Sequence, residues 1–251
     1  MTLKKKFGMI YTLSFILMLT LNYLSSTDVG DIADQEQAII QPAGYVFSIW
    51  GLIYLLLLIW LIRLFVSRSG EKMLRRLHYW PPANFVLNGL WIVAFTQEWF
   101  LISVMIIAAL LLTLIVIYKK IDKDPLHWFN RAPFSVYFAW GTVATIVNVF
   151  RWLLDRDVEE LMGLNEYQWT LILLVIATGI AMFVSLVHLD WIYPLVFVWT
   201  YVGIILEHEN QLFLLMVICS MAIVFQVLSS TIVAFVRLKQ KVSNRHTPAT
   251  T

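Results

Sequence analysis

The sequence predicts an all-α, polytopic membrane helical bundle with about eight transmembrane helices. Three observations carry that prediction. First, 60% of the 251 residues are hydrophobic and 14% are charged, against about 45–50% and about 25% in a soluble domain; the mean hydropathy is +0.78. Second, the apolar residues gather into eight runs, roughly 8–25, 45–66, 80–97, 100–118, 134–154, 168–188, 190–207 and 211–236. A spanning helix needs about 20 mostly apolar residues. Third, the basic residues segregate to alternate loops. Together these exclude a soluble globular protein, a disordered chain and a nucleic-acid binder with a broad basic surface. The lipid bilayer is the expected partner and nucleic acid is not.

The elements follow in order. Lys4, Lys5 and Lys6 precede the first run, as they would in a signal peptide. No small-residue cleavage pattern follows, and the exit reads Tyr23-Leu24-Ser25-Ser26-Thr27, so an uncleaved first helix is expected. The second run contains LIYLLLLIWLI over 52–62. It lacks the alternation of a barrel strand, so helices are favoured throughout. Pro81 and Pro82 open the third helix, where proline costs little. Pro194 falls inside the seventh run and predicts a kink there. Trp80, Trp99, Trp128, Trp152, Trp169 and Trp191 stand near run ends, as an interfacial belt requires. The acidic stretch DRDVEELMGLNE over 155–166 is the one seam. It divides the chain into a five-helix unit, 1–154, and three further helices with a short basic tail, 155–251.

Cytoplasmic loops of membrane proteins are enriched in lysine and arginine. With the N-terminus inside and sides alternating at each span, 16 of the 18 basic residues fall inside; Arg151 and Arg156 are the exceptions. Twelve of the 16 acidic residues fall outside. An odd number of spans would scramble both patterns. The expectation is eight spans in the cell membrane with both termini cytoplasmic.

Charge at bilayer depth is expensive and marks function, yet the spans are almost free of it. Arg63 and Arg151 lie near run ends and are expected to snorkel, while Glu98 and Asp190 are expected in tight turns. The absence of a central carboxylate, histidine or lysine argues against a proton pump or an ion-coupled transporter. Neutral polar and aromatic residues recur at helical spacing instead. Asn84, Asn88 and Trp91 share one face of the third helix. Tyr137, Trp140 or Gly141, Ala144 and Asn148 share one on the fifth, and Phe47, Trp50 and Tyr54 one on the second. Periodicity alone leaves two readings: helix packing, with small residues allowing close approach, or a pocket for a flat, apolar ligand. Gln226, Ser229 and Ser230 with Cys219, and Ser185 with His188, read as packing faces of the last and sixth helices. Glu207-His208-Glu209 reads as an exposed turn. No catalytic triad, zinc-binding or phosphate-loop motif is present, so an enzyme is not expected and no metal site is assigned.

At 41–54 the chain reads Gln-Pro-Ala-Gly-Tyr-Val-Phe-Ser-Ile-Trp-Gly-Leu-Ile-Tyr. This resembles the entry to the second helix in the TspO/MBR family, the tryptophan-rich sensory proteins and the mitochondrial translocator protein. Pro42, Tyr45, Phe47 and Trp50 resemble that family's Pro-Pro-x-Trp-x-Phe-x-x-x-Trp pattern, with one residue fewer between Phe47 and Trp50. Leu87, Asn88 and Trp91 match its Leu-Asn-x-x-Trp, and Trp140, Ala144 and Asn148 its Trp-x-x-x-Ala-x-x-x-Asn. The departures are Ala43 for the second proline, Tyr45 for tryptophan and Ser48-Ile49 for Gly-Pro. The resemblance covers roughly 8–154, the five spans of the family fold, and so places the chain in a longer bacterial branch, a five-helix core with three helices added. It implies a pocket within the five-helix core, lidded by the first loop (25–43) and lined by Tyr45, Phe47, Trp50, Asn88, Trp91, Trp140, Ala144 and Asn148. It implies a porphyrin-like tetrapyrrole as ligand, a sensory or regulatory role, and association into a homodimer. Transport of a lipophilic solute and weak porphyrin degradation are the alternatives.

Overall fold

Nine α-helices and one small hairpin make up the described residues of the computed structural model, which are 3–25, 37–67, 70–122, 128–209 and 212–246. The helices are α1 Leu3–Leu24, α2 Ile49–Val66, α3 Gly70–Leu77, α4 Trp80–Thr96, α5 Phe100–Asp122, α6 Trp128–Asp155, α7 Glu166–His188, α8 Tyr193–Glu207 and α9 Phe213–His246. A 3₁₀ turn, Gly44–Ser48, leads into α2. Each of the eight apolar runs forms a helix, and the all-α membrane bundle is the fold. Six of the helices are long and apolar enough to cross a membrane: α1, α2 (with its 3₁₀ entry), α5, α6, α7 and α9. The other two apolar helices are shorter, α4 with 17 residues and α8 with 15. At 1.5 Å per residue they reach about 22–26 Å, short of the roughly 30 Å apolar layer. Both lie largely against protein: α4 packs on α1 and α5, and α8 on α6, α7 and α9. A helix ringed by other helices need not match the lipid thickness alone.

The helix ends follow local chemistry. Pro81 and Pro82 sit in the first turn of α4, as expected. Pro194 also opens its helix instead of kinking it, which corrects the expectation drawn from the longer apolar run. The reason is Asp190: its Oδ1 accepts from the backbone N–H of Ile192 (2.9 Å) and Tyr193 (3.3 Å), so α8 starts only there. In the acidic seam, Asn165 and Gln168 form a reciprocal capping box that starts α7. Before it stands an element the sequence reading missed, the antiparallel pair β1 Glu160–Leu161 and β2 Leu164–Asn165. Met162 (φ 57°) and Gly163 (φ 76°) both take the left-handed conformation that a two-residue hairpin turn demands. The Trp169 indole donates to Leu161 O (2.9 Å) and folds the hairpin onto α7. A second element without an apolar run behind it is α3, a short helix with Met73, Leu74 and Leu77 inside.

At the centre lies α6. It packs most closely on α5 and also meets α2 and α8. Gly141 eases the approach to α5, because a Cβ there would make a tight 3.0 Å contact with Leu114 Cδ1. Through α6, the group α1, α2, α4 and α5 meets the group α7, α8 and α9. The packing faces of the last helices behave as anticipated. Gln226 Nε2 donates to Thr178 O (3.1 Å), Ser229 to Ser185 (3.1 Å) and Ser230 to Trp191 O (2.7 Å), and Cys219 is a buried free thiol.

Two residues depart from the expected surface roles. Arg151 does not snorkel: it is 5% exposed, with its guanidinium 4.3 Å above the Phe100 ring. Arg63 is exposed and lies over Phe129. Asp190 is in a turn but is 1% exposed. It accepts from Tyr118 (2.6 Å) and Ser135 (2.5 Å) and pairs with Arg131 at 3.6 Å. Arg131 in turn donates to His188 O and Leu189 O. Of the interfacial tryptophans, Trp80 and Trp99 are exposed, while Trp152, Trp169 and Trp191 are half-buried. The Trp128 side chain and the acids of the first loop at 28, 31, 34 and 36 lie outside the described residues.

Candidate functional site

Trp50, from the first turn of α2, stands at the centre of an aromatic cluster. Its ring centroid lies 5.5 Å from Trp91 of α4, 5.8 Å from Tyr54, 5.9 Å from Tyr137 and 6.1 Å from Trp140 of α6. Phe47, in the 3₁₀ turn, meets Trp140 edge-on at 5.7 Å. Edge-on and tilted contacts of this kind are the favoured geometries for aromatic pairs. Helical spacing is the local cause. Phe47, Trp50 and Tyr54 recur on one face of α2 and its entry, Asn88 and Trp91 on one of α4, and Tyr137, Trp140, Ala144 and Asn148 on one of α6.

Two polar networks fix the cluster. In the first, Tyr54 donates to Asn22 Oδ1 (2.7 Å), Asn22 Nδ2 to Asn88 Oδ1 (2.8 Å), and Asn88 Nδ2 to the Tyr137 hydroxyl (2.9 Å). It joins α2, α1, α4 and α6. In the second, the Trp91 indole donates to Asn148 Oδ1 (2.7 Å) and Asn148 Nδ2 to Ser103 Oγ (2.9 Å), joining α4, α6 and α5. Asn88 and Asn148 are buried, and their carboxamides are occupied by protein partners on both the oxygen and the nitrogen side. They brace the five helices. The Trp140 indole differs: Trp140 is 1% exposed and its Nε1–H has no acceptor among the described residues. It is a buried donor of the cluster left for a partner from outside.

Of the eight residues singled out from sequence, Phe47, Trp50, Asn88, Trp91, Trp140 and Asn148 come together. Ala144 lies buried on α6 between Trp140 and Asn148. Tyr45 stands apart, 42% exposed, with its ring edge-on to Trp199 of α8 at 5.2 Å. Asn84 shares the α4 face in projection but turns to α5, donating to Thr113 Oγ1 (2.8 Å) and Leu110 O (3.2 Å). Asn22 and Ser103 were missed. Their only signal was being amide or hydroxyl residues within apolar runs, and nothing local marks which such residue faces a neighbour.

The end of the first loop and the 3₁₀ turn that follows it are held by the C-terminal helices. Ile39 N–H donates to Glu166 Oε1 (2.6 Å), and His208 Nε2 lies 2.8 Å from Ile39 O. The Trp199 indole donates to Val46 O (3.1 Å), and Ala43 N–H to Gly203 O (3.2 Å). His208, read as part of an exposed turn, is therefore half-buried against this segment. Cavities flank it, two of them against α8. One, of about 440 Å³, lies between α2 and α8 and is lined by Ser48, Leu52, Val136, Leu195 and Trp199. The other, of about 20 Å³, lies under Ile40 between α6, α7 and α8.

A membrane bundle whose core helices converge on a tryptophan-rich, amide-braced cluster defines a class of polytopic all-α proteins. The model of the family described as TSPO-like protein matches residues 8–235, and the chain belongs to that family. The match continues through α7 and α8 and most of α9, past residue 154 where the resemblance read from the sequence stops. No curated protein and no solved structure matches the chain.

Proposed function

We propose that this TSPO-like membrane protein binds a flat, apolar ligand of tetrapyrrole type against Trp50 and Trp140, and that it serves a sensory or regulatory role. The observation that carries the reading is the buried, acceptor-free Trp140 indole N–H inside a cluster of rings contributed by three helices. A buried donor without a partner costs free energy, and a ligand with a polar edge supplies one. Phe47, Trp50 and Tyr54 are the half-buried members of the cluster and form the side open to approach. The ligand stacks on their rings, while Asn88 and Asn148 act on it only by holding Trp91 and Tyr137 in place. No acid, base or nucleophile has a place in this reading, so binding is its whole chemistry.

Titration with protoporphyrin should give saturable quenching of tryptophan fluorescence. Trp140→Phe should weaken the apparent affinity several-fold, and Trp99→Phe, an exposed position, should leave it unchanged. Non-saturating quenching, or equal affinity in the Trp140 variant, would overturn the reading.

A further inference from the structure

We propose that the end of the bundle carrying α3 binds the phosphate of an anionic phospholipid, with Arg76 as its principal ligand. The helix α3 is short and two-sided. Met73, Leu74 and Leu77 are buried against its neighbours α1, α2 and α5, while Lys72 and Arg75 are exposed. A helix of this kind lies along the membrane surface with its basic face at headgroup level. The start of α1 joins it there. Lys4 Nζ reaches Ser67 O (3.4 Å), the Tyr11 hydroxyl donates to His78 O (2.7 Å), and Lys5 and Lys6 are exposed alongside.

A basic end is the ordinary lot of a membrane protein and would not by itself define a site. Arg76 adds the specific observation. Its Nη1 is buried from solvent and has no hydrogen-bond acceptor among the described residues. Glu71, the carboxylate on the same helix, is taken by Arg75 at 2.8 Å. A guanidinium nitrogen shielded from water and lacking an acceptor calls for an oxyanion, and phosphate fits its planar donor fork. Just inside this end, Val66 (80% exposed), Ile62 and Met9 leave apolar surface uncovered. That surface accommodates acyl chains and favours a phospholipid over free phosphate. Lys72 and the lysines at 4–6 add the field that draws anionic headgroups. This site is separate from the aromatic cluster, and its test does not depend on any tetrapyrrole.

The full chain is reconstituted in nanodiscs of phosphatidylcholine alone or of equal parts phosphatidylcholine and phosphatidylglycerol, then examined by native mass spectrometry and thermal melting. Retention of phosphatidylglycerol over phosphatidylcholine, with a higher melting temperature in the mixed discs, is expected. Arg76→Gln should cut that retention several-fold and abolish the melting difference. Arg76→Lys should keep part of both, and Arg75→Gln should keep most. Equal retention of the two lipids by the wild-type chain would overturn the proposal, even if Arg76→Gln failed to fold. So would an Arg76→Gln protein that retains lipid like the wild type, or retention abolished by inorganic phosphate at matched ionic strength.

Discussion

Asn148 shows how much one buried side chain carries. It accepts from the Trp91 indole and donates to Ser103, so one carboxamide ties three helices. Asn148→Leu strands the Trp91 donor in an apolar interior. The expected loss is about 1–2 kcal/mol, the upper part of the range for hydrogen bonds between membrane helices, seen as a lower melting temperature in detergent. An unchanged melting temperature would show that Trp91 finds another acceptor. Gly203 tests contact rather than polarity. A Cβ there would lie 2.2 Å from Val46 Cγ2 and 3.0 Å from Pro42 Cβ. Val46 is fully buried and β-branched, so it has little room to turn away. Gly203→Ala should therefore cost about 1–3 kcal/mol and loosen the segment before α2. Faster proteolysis at 37–48 would report that, and wild-type resistance would show that the two backbones move apart freely. Periodicity revealed the faces of Trp50, Asn88, Trp91, Trp140 and Asn148 because a helix repeats its directions. It could not reveal Tyr45, which precedes α2 and takes its direction from Trp199, more than 150 residues away.

Between elements, the Arg131–Asp190 pair joins the start of α6 to the turn between α7 and α8. Asp190 is also the acceptor for Tyr118 of α5 and the cap of α8, so one carboxylate serves three helices. Removing one partner of a buried ion pair leaves the other charge uncompensated, which costs about 3–5 kcal/mol. Asp190→Ala should fall in that range. The double variant Arg131→Met with Asp190→Ala should lose clearly less than the sum of the two single variants, because the stranded charge goes with its partner. Strict additivity in chemical denaturation would mean the two charges do not interact. This network was invisible in the sequence. Arg131 counted as one more basic residue in an inner loop and Asp190 as a turn residue. Fifty-nine positions separate them, and only packing brings them together. The hairpin at 160–165 was missed for a different reason. Its two-residue strands are too short for any alternation to appear.

The whole molecule turns on how many helices cross the membrane. Six are long enough by themselves. The charge pattern predicts an even count, and eight alternating crossings would put both chain ends on the same side. Lys5→Cys and Gln240→Cys, both exposed positions, provide the test in a chain whose single native cysteine is buried. Both should react with an impermeant maleimide only from the cytoplasmic side. Labelling from opposite sides would mean that one of the short helices, α4 or α8, does not cross. The sequence alone determined the membrane class, the positions of the apolar helices and the repeated aromatic faces. Hydrophobicity and helical period are local properties, and lipid rewards them wherever they occur. Only the tertiary structure decided that the amides brace one another, that the Trp140 indole keeps an unused donor, and that α7 and α8 hold the segment entering α2. Those outcomes depend on which neighbour each face meets, and that is settled by the packing of the whole bundle.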